Sequence, residues 1–117
     1  MQSVLLTKVF AKQLSSLDLD EQALQDIVES VARAPMSGDL MAGTGGARKL
    51  RHAAMGKGKS GGVRTIHYFG GDDIPVFLLA IYGKSEKGNL TKSERNALAK
   101  LLPEIGEACR NFSRSLK

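Results

Sequence analysis

The 117-residue chain has no tryptophan, two tyrosines, one cysteine and two histidines. Each scarcity removes a class of function. With only Tyr68 and Tyr82 beside its four phenylalanines, the chain is poorly supplied for a broad base-stacking platform. Cys109 stands alone, so it forms no internal disulfide and rules out a cysteine-based zinc site. His52 and His67 have no carboxylate near them in sequence and make a weak metal-ligand set. The apolar run Val4-Leu5-Leu6 is followed by Lys8 and Lys12, too short for a signal peptide and far too short to span a bilayer. A single cytoplasmic domain over residues 1–117 is expected.

The most informative absence is local. From Leu40 to Gly71 there is no Asp or Glu, yet six bases stand there: Arg48, Lys49, Arg51, Lys57, Lys59 and Arg64. The remainder of the chain carries eleven bases against twelve acids, so the net charge of +5 belongs to this one stretch. A cluster of one sign without countercharge attracts a polyanion, phosphate above all. The alternative is a solvated basic hairpin that only keeps the protein soluble.

The stretch reads as strand, glycine-rich basic turn, strand. Over Ala47–Ala53 alternation puts Arg48, Leu50 and His52 on one face and Lys49 and Arg51 on the other. Over Val63–Phe69, Arg64, Ile66 and Tyr68 share one face, opposite Val63, Thr65 and His67. His67 is therefore expected in the core or against a partner. Ile74–Tyr82 (IPVFLLAIY) is continuously apolar, as a strand covered on both faces should be.

Around this hairpin the pattern is helical. Gln2–Leu6 reads as a short first strand, and Thr7 can cap a helix to Leu14 with Val9, Phe10 and Leu14 on one side. Asp18 and Glu21 resemble a capping box for a second helix, with Leu24, Ile27, Val28 and Val31 as its buried stripe and Pro35 at its end. Its acids read as a solvated outer face. Thr91 and Glu94 form the clearest capping box, opening a helix striped by Ala97, Leu98, Leu101, Leu102, Ile105, Cys109 and Phe112. Pro103 should kink or split it. The fold class is α+β: a small antiparallel sheet, a three-stranded meander plus an N-terminal strand, with an N-terminal helical hairpin and a C-terminal helix.

Two tempting motifs fail. Gly58-Lys59-Ser60 lacks the first glycine of a P-loop, because Ala53 stands there, and it precedes a strand. Gly43-Thr44-Gly45 lacks the third glycine of a dinucleotide fingerprint, since Arg48 stands there. No carboxylate pair adjoins the basic stretch, which argues against two-metal phosphodiester chemistry.

Three blocks in order, GTGGARKLR, GKGKSGGVRTIHYF and IPVFLLAIYGKSEKGNLT, resemble the RelE/HigB-like toxins of bacterial type II toxin–antitoxin systems. The resemblance covers roughly Leu40 to Leu102. It implies a small α+β fold and a ribosome-dependent, metal-independent mRNA endoribonuclease (an mRNA interferase) that needs no cofactor and inhibits translation. It also implies partners: a cognate antitoxin, of helix-turn-helix type; the ribosome with mRNA in its A site; and operator DNA only through the antitoxin complex. Carried over by position, Lys49 matches a catalytic base and Arg64 the arginine that holds the scissile phosphate. Lys84 and Lys87 follow the third meander strand, where the family carries further basic groups and an acid. Ser85 stands where an arginine is common and no aromatic or histidine follows in Glu86 to Leu90, so the acid is open between Tyr68 and Tyr82. Arg48, Arg51, Lys57, Lys59 and Lys87 are expected to bind RNA.

The chemistry also suits the composition. RNA cleaves when its 2′-OH attacks the adjacent phosphate, and a protein helps by removing that proton, stabilising the added charge and protonating the leaving oxygen. Arginine suits the charge, because it stays ionised and donates bidentately. Lysine can act as base where burial or neighbouring cations depress its pKa, and Lys49 is flanked by Arg48 and Arg51. A non-catalytic RNA- or ribosome-binding module is the alternative reading, and a subunit with a basic groove for an acidic partner segment is a third.

Overall fold

The computed structural model describes residues 2–17, 19–52, 62–83 and 90–115. In chain order these form β1 (Val4–Leu6), α1 (Lys8–Ser15), α2 (Glu21–Arg33), β2 (Asp39–Leu40), β3 (Ala47–His52), β4 (Val63–Tyr68), β5 (Val76–Gly83) and α3 (Lys92–Ser115). The strands make one sheet in the order β1-β5-β4-β3-β2. The α+β class is as expected, with two differences. The sheet is mixed, because β1 runs parallel to β5. The two-residue β2 adds an edge beyond β3. Neither segment is long enough to declare itself by periodicity.

Local chemistry fixes the helix starts. Thr7 caps α1 by accepting from the Phe10 amide, and its hydroxyl donates to the Leu78 carbonyl of β5. Asp20, not Asp18, caps α2, accepting from the Ala23 amide at 2.8 Å. Asp18 lies outside the described residues. Thr91 and Glu94 form the reciprocal box at the start of α3: each side chain accepts from the other's backbone amide. The α3 segment is one helix with Pro103 inside it, not two. The proline removes one backbone bond. The helix remains tied on both sides of it, through Arg95 to the Ala42 carbonyl and through Arg110 to Asp73 and the Gly70 carbonyl.

The sheet is covered on both faces. On one side Phe10 of α1 and Ile27 and Val31 of α2 pack with Val63, Val76, Leu78 and Ile81. On the other, Leu102 of α3 packs with Ala47, Ile66, Tyr68, Phe77 and Ala80. That α1 and α2 share one face is what a helical hairpin over a sheet predicts, and α3 packs on the opposite face.

Candidate functional site

Strand register decides which side chains meet. Directly opposed residues of an antiparallel pair point to the same face, with Cβ atoms about 5 Å apart. Arg51 opposes Arg64, and Arg64 opposes Tyr82. These three make one row across β3, β4 and β5. In the next row Lys49 opposes Ile66, and Ile66 opposes Ala80. Because Ile66 and Ala80 pack under α3, both rows belong to the α3 face. Arg51 is exposed, while Lys49, Arg64 and Tyr82 are partly buried. An apolar groove of about 320 Å³ between α1 and α3 adjoins the rows and is floored by Ile66, Ala80 and Tyr82. The arrangement is a partly sheltered set of three cations beside a phenol, with apolar surface on one flank.

The site residues expected from sequence divide by this geometry. Lys49, Arg51, Arg64 and Tyr82 come together. Tyr68 shares their face but stands four residues along β4 from Arg64, about 13 Å at ordinary strand rise. It is buried and stacks on Phe77 at a ring separation of 6.5 Å. Arg48 is on the opposite face, where its Nη1 donates to the Met36 and Gly38 carbonyls. Lys57, Lys59, Lys84 and Lys87 lie outside the described residues. The turn before β3 has its own staple: Thr44 Oγ1 donates to the Met41 carbonyl and accepts from the Ala47 amide.

Both histidines sit beneath the site, on the α1/α2 face. His52 Nε2 is 2.9 Å from Thr65 Oγ1, and His67 Nε2 donates to the Pro35 carbonyl at 2.8 Å. His67 Nδ1 is buried and has no hydrogen-bond partner among the described residues. Burial lowers the pKa of both. His52 falls to about 4, with His67 adding a smaller repulsion. For His67 the Pro35 bond opposes the shift and Arg48 reinforces it.

The sign of the linkage follows. The unfolded chain takes up protons near pH 6.5 and the folded chain only near 4, so stability is complete above 6.5 and falls between those values. His52 accounts for a loss on the order of 2–3 kcal/mol across that window. Urea unfolding at pH 7.5 and 4.5 measures it. His52→Gln should flatten this part of the pH dependence; an unchanged slope would contradict the assignment.

Residues 2–112 match the family described as the RelE toxin of the RelE / RelB toxin-antitoxin system. The chain belongs to the RelE toxin family. The match spans nearly all of the chain, including the N-terminal helices that precede the basic stretch. This RelE-family protein is thus a toxin-type domain whose system includes an antitoxin. Among its described residues, no helix is long and apolar enough to cross a membrane, and no group of three His, Cys, Asp or Glu could hold a metal ion.

Proposed function

We propose that this RelE-family protein is a ribosome-dependent mRNA endoribonuclease acting in the cytoplasm and inhibiting translation. The observation that supports this reading is the row Arg51–Arg64–Tyr82 with Lys49 one row away, on a single face of the sheet. Arg64 sits at the centre of the row and holds the scissile phosphate. Lys49 takes the 2′-OH proton as the 2′-oxygen bonds to phosphorus. Charge gathering on the non-bridging oxygens falls to Arg64, with Arg51 beside it. As the bond from phosphorus to the 5′-oxygen breaks, that oxygen takes a proton from Tyr82, the phenol that adjoins Arg64. The products are a 2′,3′-cyclic phosphate and a 5′-hydroxyl end. Two further bases of the stretch, Lys57 and Lys59, dock the protein on ribosomal RNA. The ribosome presents the A-site mRNA. The cognate antitoxin holds the toxin inactive and carries it to operator DNA.

Mapping mRNA ends on translating ribosomes tests the assignment. Wild-type protein should produce new 5′ ends within coding sequence. Lys49→Ala should lower their yield far more than Lys57→Ala. Equal losses would mean that total charge matters and position does not.

A further inference from the structure

The strand that carries Lys49 has β4 on one side and very little on the other. Its outer neighbours are the two residues of β2 and the loop before them, residues 34–38. Two side chains from the face opposite the site hold that loop. Arg48 Nη1 donates to the Met36 carbonyl at 3.0 Å and the Gly38 carbonyl at 3.3 Å. His67, directly across the β3–β4 ladder from Arg48, donates to the Pro35 carbonyl. Three carbonyls within four residues are therefore gripped from beneath the sheet.

Gly38 is where this grip meets the site. Its φ is +88°, and a Cβ there would lie 2.5 Å from the Lys49 carbonyl oxygen and 3.2 Å from Leu50 Cβ. The loop backbone thus lies flat against the Lys49–Leu50 peptide, with no room for a methyl group. The next residue, Asp39, pairs with Lys49 in the ladder.

We infer that Arg48, His67 and Gly38 are positioning residues: they press the 34–38 loop against β3 and so fix the strand beneath Lys49, one row from Arg64. The inference rests on the role proposed above for Lys49. It reassigns Arg48, whose guanidinium is directed to loop carbonyls on the face away from the cation row and not to RNA. Removing the clamp leaves the cations of the site in place and lets the backbone under one of them drift. Reaction steps are sensitive to such drift, and a misplacement of about 1 Å can cost a hundredfold. Binding through many phosphate contacts is far less sensitive.

The test compares Gly38→Ala with Gly43→Ala and Arg48→Met with Arg48→Lys. Gly43 has a φ of +74° but nothing within 4 Å of a built Cβ, so alanine there strains the backbone without a collision. Cleavage is followed in single turnover on programmed ribosomes over a range of toxin concentrations, separating the maximal rate from half-saturation. Thermal unfolding confirms that each variant is folded at the assay temperature. Gly38→Ala and Arg48→Met should lower the maximal rate roughly ten- to a hundredfold. Half-saturation should move by no more than about twofold. Gly43→Ala should stay near wild type, and Arg48→Lys, which can still reach one carbonyl, should recover part of the loss.

A raised half-saturation with an unchanged maximal rate in Arg48→Met would make Arg48 an RNA contact and overturn the inference. So would Gly38→Ala behaving like Gly43→Ala. Lys49→Ala, measured alongside, separates the two levels. Full activity there overturns the role of Lys49 and this inference with it. Loss there beside a normal Gly38→Ala overturns the clamp alone.

Discussion

Arg64→Ala should abolish toxicity while leaving the protein folded. Arg64 is the middle member of its row, between Arg51 and Tyr82, and is only partly buried. Its neighbours on the strand, Val63 and Thr65, face the other way into the α1/α2 side. Losing its side chain therefore leaves the core intact. The developing negative charge of the transition state loses its central donor. Removal of one such donor costs about 3–4 kcal/mol, or two to three orders of magnitude in rate. Arg64→Lys keeps the charge but loses the fork of two parallel donors, so it should fall between wild type and alanine. Growth arrest on induced expression gives the coarse readout, and single-turnover cleavage the quantitative one. A folded Arg64→Ala protein with full toxicity would contradict the phosphate role.

The largest effect on stability should come from Phe10→Ala. Phe10 is completely buried between α1, α2 and β5, among Ile27, Val31, Val76 and Leu78. Truncating a fully buried phenylalanine costs about 3–5 kcal/mol, because the surrounding side chains refill the space only in part. A domain of this size has about 5–15 kcal/mol in total, so the variant should be close to its unfolding threshold. Phe112→Ala is the natural control. Phe112 was placed on the apolar stripe of α3 by spacing, yet it is 66% exposed. Its truncation should change stability by no more than about 0.5 kcal/mol. Denaturant melts of the two variants decide the matter: equal midpoints would mean that α1 does not anchor the core.

What could be read from the sequence follows the strength of each periodic signal. Alternation correctly separates Lys49 and Arg51 from Arg48 and His52 along β3, and Arg64 from His67 along β4, because a pleated strand admits no other arrangement; that Arg51 and Arg64 share a face comes from the β3–β4 register. The same alternation already set Arg48 apart from the cation face, although charge alone counted it among the RNA ligands. Which phenol adjoins Arg64 was not legible. That depends on the β4–β5 register, and the register shifts at an irregularity between Ile66 and His67 that no local pattern announces. The clamp on residues 34–38 was hidden for a related reason. It joins a loop carbonyl to a side chain twelve residues later, and only the intervening β2 turn brings them together. Caps were legible where the box was complete, as at Thr91 and Glu94. The start of α2 was misread by two residues because Asp18 and Asp20 offer the same chemistry.

The two faces of the sheet have different tasks. The α3 face carries the cation row and the adjoining apolar groove. The α1/α2 face carries the buried histidines and the Arg48 clamp. A substitution on the second face should act through stability or through the position of β3, and one at Lys49, Arg51, Arg64 or Tyr82 on the first should act on RNA directly.

The most direct test of the central claim uses programmed ribosomes carrying mRNA with a single 2′-O-methyl ribose at the mapped cleavage position. Attack by the 2′-oxygen requires a free hydroxyl that gives up its proton to the base, and the methyl ether has none. Cleavage at that linkage should disappear, while unmodified mRNA yields fragments ending in a 2′,3′-cyclic phosphate and a 5′-hydroxyl. Cutting at the blocked linkage at an undiminished rate would contradict the mechanism built on Lys49, Arg64 and Tyr82.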